Sequence, residues 1–107
     1  MKITVLGAGM MGRAVAFDLE KYSNFSKITV ADKDEQTLQS AKFFLKGKKI
    51  DFAIINGNDP KDVRKHFQHT DIVISAVPYR FNYDMTKIAV ETKTHFLDLG
   101  GNNDIVN

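Results

Sequence analysis

The chain contains no cysteine, which excludes disulfide scaffolds, thiolate metal sites and cysteine nucleophiles. No apolar run approaches the roughly 18 residues of a membrane-spanning helix, and no repeat, low-complexity tract or linker interrupts the sequence. Charge of one sign is also scarce. Fifteen Lys and Arg face thirteen Asp and Glu for a net +2, too mild and too evenly spread for an electrostatic nucleic-acid binder. Tyr79-Arg80-Phe81 mixes aromatic and basic character but is too short for a base-stacking platform. The three histidines, His66, His69 and His95, form no helical pair and no His–carboxylate cluster, so no metal site is expected. At 107 residues, 43% hydrophobic and 26% charged, the chain has the size and composition of one globular domain, 1–107. The expectation is a compact cytoplasmic domain whose partners are neither nucleic acid nor membrane. Lys2, Ile3–Met11 and Ala14-Val15-Ala16 imitate a secretory signal, but three glycines break the would-be apolar helix and Arg13 precedes the supposed cleavage site.

What is present is an alternation of two periodicities. Lys2–Leu6 is a short β-branched run that reads as a strand buried on both faces. From Met10 to Tyr22 the pattern is helical, with Met11, Ala14, Val15 and Leu19 on one side. Ile28–Ala31 is a second strand, and Leu38, Ala41 and Leu45 keep helical spacing after it. Gly47 is expected to end that helix at positive φ, and the clustered Lys46, Lys48 and Lys49 to form its solvated end. Ile50–Ile55 is a third strand. Asp59-Pro60 is a strong helix start, with Asp as N-cap and Pro in the first turn, and Val63 and Phe67 point that helix inward. Asp71–Val77 is a fourth strand closed by Pro78. A helix from Asn82 to Thr92 carries Met85, Ile88, Ala89 and Thr92 on one face, Thr94–Leu99 is a fifth strand, and Gly100-Gly101-Asn102-Asn103 is a turn. Five apolar strands separated by four helices call for parallel pairing with right-handed crossovers. The expected fold class is α/β, a doubly wound Rossmann-type sheet in order 3-2-1-4-5 with helices on both faces.

The chemistry-bearing motif is Gly7-Ala8-Gly9-Met10-Met11-Gly12, directly after the first strand and opening the first helix. Gly7 allows the tight turn, Gly9 lets backbone approach a pyrophosphate, and Gly12 lets the helix pack closely on the sheet. The amides of Met10 and Met11 lie at a helix N-terminus, where unpaired donors and the macrodipole favour an anion. Asp32 follows Gly12 by twenty residues, at the end of the second strand, where it is expected to accept hydrogen bonds from the adenosine ribose hydroxyls. Strand, glycine loop, helix and acid together point to a nicotinamide dinucleotide. Asp32 repels a 2′-phosphate, which favours NAD, while the adjacent Lys33 can offset that repulsion and keeps NADP open. The alternative role of Asp32, capping the next helix, suits Asp34 better. The switch point between the first and fourth strands places Ala76, Val77 and Pro78 opposite the glycine loop. Asn56 and Gly57 end the third strand near the expected adenine, although both are also common turn residues.

VLGAGMMGRAVAFDL, the ADKD segment, NGNDP, DIVISAVPYRFN and HFLDLGGN together resemble the N-terminal nucleotide-binding domain of the saccharopine dehydrogenase family, particularly its lysine 6-dehydrogenase-like branch. The glycine motif is shared with many unrelated enzymes, whereas the fourth-strand segment and DLGG are more specific. The resemblance implies an NAD(P)-dependent oxidoreductase acting on an amino acid such as lysine or saccharopine. Family members often carry Asp where Asn56 stands, so the adenine contact differs in detail. In the family a second, larger domain follows, carrying the substrate pocket and the groups that assist hydride transfer. The resemblance therefore implies that this chain supplies the cofactor half and needs a C-terminal substrate domain as partner. No catalytic residue is assigned to it.

A second reading comes from a different class. Nucleotide-sensing regulatory domains of potassium channels and transporters share the glycine motif, the acid and the length, and perform no chemistry. AVPYRFN and the DLGG ending favour the dehydrogenase family. Without a following domain, the fifth strand and its flanking helix are expected to expose an edge and apolar surface. Homo-oligomerisation, or at least a concentration-dependent stability, should follow. Sedimentation across a wide concentration range tests this, and a strictly monomeric profile would contradict it.

Overall fold

A computed structural model describes residues 1–56, 58–76 and 79–99, with side chains described outside 79–84. The elements run β1 (Lys2–Leu6), α1 (Met10–Tyr22), β2 (Lys27–Asp32), α2 (Glu35–Phe44), β3 (Ile50–Ile54), α3 (Pro60–Phe67), β4 (Ile72–Ser75), α4 (Tyr79–Thr92) and β5 (His95–Asp98). The five strands form one sheet in the order β3-β2-β1-β4-β5, and every pairing is parallel. This is the doubly wound order expected from the alternating periodicities.

Two cores lie on opposite faces of that sheet. One joins Ile3, Val5, Ile28 and Val30 of the sheet to Ala16, Leu38 and Ala41 of α1 and α2. The other joins Leu6, Ala31 and Val73 to Val63, Phe67, Met85, Ile88 and Ala89 of α3 and α4. Ile3 and Val5 thus serve one face while Leu6 serves the other, which is why β1 reads as a continuous apolar run. The outer strands β3 and β5 are less covered: Ile54 is 55% exposed and Leu97 56%.

Helix starts follow their caps. Asp34 accepts from the Gln36 amide at 3.1 Å and from the Thr37 hydroxyl at 2.7 Å. Asp59 accepts from the Lys61 amide at 3.1 Å, with Pro60 in the first turn. The α2 end differs from expectation. The helix stops at Phe44, Leu45 turns inward in an extended conformation at 4% exposure, and Gly47 is not at positive φ. A Cβ on Gly47 would meet the end of the Glu20 side chain, a flexible group that can shift to make room, so neither backbone handedness nor rigid packing demands glycine there.

Other boundaries shift as well: β2 gains Lys27 and Asp32, and Ile55, Ala76 and Leu99 fall outside β3, β4 and β5. Asp71 is not in β4. Its carboxylate accepts from the Lys2 amide at 2.8 Å and its own amide donates to the Lys2 carbonyl at 2.9 Å, pinning the start of β1. Helix α4 begins at Tyr79 rather than Asn82. At its other end Lys93 takes the left-handed conformation, φ 59°, and the Thr94 amide bonds back to the Ala89 carbonyl at 2.8 Å, a termination that usually recruits glycine. Thr94 therefore precedes β5, and its buried hydroxyl donates to the Phe67 carbonyl at 3.0 Å. Val77, Pro78 and the 100–103 turn lie outside the described residues.

Two outcomes are expected. Phe67 is 1% exposed, with its ring 6.2 Å from that of Phe96, so Phe67→Ala should lower stability by about 3–5 kcal/mol in urea unfolding. The Thr37 hydroxyl, and after it the Gln36 amide, hold the Asp34 carboxyl below its ordinary pKa. A depressed carboxyl stabilises the fold above its unfolded pKa, and that contribution is lost as pH falls through the folded value. Thr37→Val should shift the Asp34 titration upward, as read by carboxyl-carbon NMR.

Candidate dinucleotide-binding site

The carboxyl ends of β1, β2 and β4 meet at one edge of the sheet. The Gly7 amide donates to the Ala31 carbonyl at 2.7 Å, the Ile55 amide to the Asp32 carbonyl at 3.0 Å, and the Ala76 amide to the Leu6 carbonyl at 2.8 Å. Gly7, Asp32 and Ala76 are thereby brought together, as their sequence positions imply.

The three glycines of the loop meet different demands. Gly7 lies at φ 101°, a region that a side chain rarely tolerates. A Cβ on Gly12 would overlap the Gly7 carbonyl oxygen and lie 2.8 Å from its carbon, so α1 can approach β1 this closely only without one. Gly9 faces neither demand: its φ is −72° and a Cβ there would meet nothing within 4 Å. Gly9 is also the N-cap of α1, and unlike Asp34 and Asp59 it supplies no side-chain acceptor. No acid occupies the first turn of α1 either. The amides of that turn therefore present positive potential to the crevice with no carboxylate to answer it. Met10 and Met11 are 87% and 51% exposed.

Asp32 is half-buried and already bonded. One carboxylate oxygen accepts from the Ala8 amide at 2.8 Å and the other from the Asp34 amide at 2.9 Å. A carboxylate offers about four lone-pair positions, so acceptors remain for a ligand's hydroxyls. Asp34, not Asp32, caps α2. Lys33 is exposed, and its charge helps lower the Asp34 pKa.

Asn56 is more occupied than its sequence position implies. Its amide donates to Asp62 at 2.8 Å, its carbonyl accepts from the Asp59 amide, and its side-chain oxygen accepts from the Asn58 amide at 3.0 Å. Among the described residues, no hydrogen bond occupies the side-chain NH2. Gly57, Val77 and Pro78 lie outside the described residues. Sequence reasoning missed Arg13, whose Nε donates to the Ala8 carbonyl at 2.9 Å. The available signal was a cation on the first turn of the helix, where a long side chain leans back toward the N-terminus. Among the described residues, no group of His, Asp or Glu is placed to hold a metal, and no helix is long and apolar enough to cross a membrane.

Solved structures share this architecture. Saccharopine dehydrogenase (L-Glu forming) from Saccharomyces cerevisiae superposes with a TM-score of 0.78 at 24% identity, over 91% of this chain and 21% of that one. A putative epimerase from Bacteroides thetaiotaomicron gives 0.73 at 17%, over 91% and 45%. A short-chain dehydrogenase/reductase (wide type) from Veillonella parvula, in complex with NADP, gives 0.71 at 14%, over 91% and 46%. At these identities the likeness establishes the fold, and the chain spans about a fifth of the length of the yeast enzyme. The family described as Saccharopine dehydrogenase NADP binding domain matches residues 3–106. With its glycine loop, uncapped helix and an acid at the end of β2 on the doubly wound sheet, the chain belongs to that family.

Proposed function

We propose that the chain binds NAD(H) as its primary dinucleotide and forms the cofactor domain, 1–107, of an oxidoreductase acting on an amino acid of the lysine or saccharopine class. Asp32 accepts from the adenosine ribose hydroxyls, and the Met10 and Met11 amides hold the pyrophosphate over Gly7, Ala8, Gly9 and Gly12. Ala76, Val77 and Pro78 line the nicotinamide ribose, and Asn56 and Gly57 border the adenine. Lys33 flanks the ribose acid. The bound dinucleotide supplies the hydride chemistry, and this chain's part is to hold and orient it. The amino-acid class rests on family membership and on the yeast enzyme's own name. The substrate pocket is assigned to another domain, and homo-oligomerisation to the apolar side chains exposed at the outer strands.

Gly9 carries this reading. Backbone conformation explains Gly7, and packing explains Gly12. At Gly9 neither applies, and what remains to exclude a side chain is a ligand lying against the backbone. The residues present also fit a dinucleotide electrostatically, with unanswered helix amides for the phosphates and spare carboxylate acceptors for the ribose.

The expected outcomes separate these roles. Gly12→Ala should destabilise the fold by about 1–3 kcal/mol or more through overpacking. Gly9→Ala should melt close to the unsubstituted chain yet lose about tenfold or more in NADH affinity by calorimetric titration, equivalent to about 1.4 kcal/mol. Asp32→Ala should weaken NADH by a similar factor, since hydrogen bonds to a charged group contribute about 1.5–3 kcal/mol. The chain alone should show no lysine-dependent NAD reduction, because this reading assigns the positioning of a substrate against the nicotinamide to another domain. Reduction above background would overturn the division of labour, and Gly9→Ala binding NADH normally would remove the observation on which the reading rests.

A further inference from the structure

Arg13 and Asp32 are fastened to opposite ends of one residue. The Ala8 amide donates to Asp32 at 2.8 Å, and the Ala8 carbonyl accepts from Arg13 Nε at 2.9 Å. They do not neutralise one another, since no ion pair within 4.0 Å joins them. The Arg13 side chain is half-buried. No carboxylate among the described residues pairs with its guanidinium, whose terminal nitrogens keep their donors.

The flank on which Arg13 lies is also fixed. Phe17, one helical turn further along α1, sets its ring 5.8 Å from that of Phe44 in α2. Residues four apart share a helix face, so the Arg13–Phe17 stripe faces α2. Helix α2 is the element that follows Asp32, so this is the adenosine flank of the crevice rather than the β4 flank. Arg13 also leans back toward the N-terminus of α1, as helical side chains do. A cation is thus held beside the ribose acid, on the side where NAD and NADP differ.

We propose that Arg13 is the specificity residue that admits a 2′-phosphate beside Asp32, so that the site accepts NADP(H) as well as NAD(H). The assignment rests on the dinucleotide reading above. Asp32 binds the ribose hydroxyls and repels a phosphate; the planar guanidinium offers that phosphate paired donors and an opposite charge. Its Nε bond to Ala8 holds the group in place before the ligand arrives. Lys33 differs in that it is exposed, so a charge there is more strongly screened by solvent.

The test is calorimetric titration of the unsubstituted chain, Arg13→Ala, Arg13→Lys and Lys33→Ala. The probes are NADH, NADPH, 5′-AMP and adenosine 2′,5′-bisphosphate. Arg13→Ala should lose about tenfold or more for NADPH and the bisphosphate, the loss of one charge-assisted hydrogen-bonding group. NADH and 5′-AMP should change by less than about twofold, and Arg13→Lys should retain part of the selectivity, with melting temperatures verifying that each variant is folded. A role confined to bracing the loop would weaken all four ligands equally and leave the NADPH-to-NADH ratio unchanged, which overturns the proposal. So does an unchanged NADPH affinity, or a selective loss seen only in Lys33→Ala. NADH binding to the unsubstituted chain separates the two levels: its absence overturns the dinucleotide reading and this proposal together, whereas its presence with an unaltered ratio overturns only the role of Arg13.

Discussion

The approach of α1 to the backbone of Gly7 is the constraint on which the rest of the molecule depends. A single methyl group on Gly12 would overlap the Gly7 carbonyl, so the helix can descend onto the end of β1 only because that group is missing. Gly7, at φ 101°, turns the chain sharply enough for the helix to start three residues later. Once the helix is seated, Ala16 is buried one turn further on, above Val5 and Val30, and the core on that face closes. The same seating aims the unpaired amides of the first turn over the carboxyl ends of the central strands. Folding and anion recognition are thus consequences of one close contact. Relaxing it would move the donors as well as loosen the core.

The loop between those glycines is held from outside as well as by its own conformation. Ala8 is fully buried, with its amide on Asp32 and its carbonyl on Arg13. Asp32 therefore ties the glycine loop to the end of β2, and in the proposed site it would also keep acceptors for a ribose. Since both its oxygens already receive an amide, the carboxylate is oriented before any ligand arrives. Less rotational freedom is then lost on binding, which is how preorganisation contributes to affinity. It follows that Asp32 belongs to the stability of the loop whatever it does toward a ligand.

Much of this was legible in the sequence, for identifiable reasons. A parallel sheet covered on both faces must be apolar on both faces, so Ile3-Thr4-Val5-Leu6 and Ile28-Thr29-Val30-Ala31 announce themselves. Asp34 and Asp59 cap their helices through contacts that span only two or three residues. The elements that eluded the pattern depend on distant partners. Glu20 of α1 lies on Gly47 at the α2 end, a contact that nothing local records. Lys93 adopts the left-handed conformation because the α4 end bonds back to Ala89, although its side chain gives no such sign. Ile54 is half-exposed because β3 lies at an edge, a property of the order rather than of the residue, whereas the exposure of Leu97 on β5 accords with the edge expected for the fifth strand. In the site, the glycines and Asp32 were readable from spacing, but the use of Asn56 in its own turn and the bond from Arg13 to Ala8 are side-chain choices that spacing does not contain.

The cofactor preference turns on a balance that no single residue sets. A carboxylate and a phosphate about 4 Å apart repel by roughly 4 kcal/mol at an effective dielectric near 20, which taken alone would make Asp32 a strict barrier to NADP. A guanidinium at comparable range from the same phosphate contributes a term of opposite sign and similar size. The difference between the two dinucleotides then shrinks to the small remainder left by geometry and solvent screening. An acid at the end of β2 and membership of a family described by NADP binding are therefore compatible, provided the cation is fixed rather than mobile. Fixation matters because a lysine free to swing in solvent loses much of its Coulomb gain to side-chain entropy and screening, whereas an arginine whose Nε is already bonded has less freedom left to lose. The selectivity of such a crevice is accordingly set by how firmly its cation is held to the loop, and in this chain the loop atom that holds it belongs to the residue that also anchors the acid.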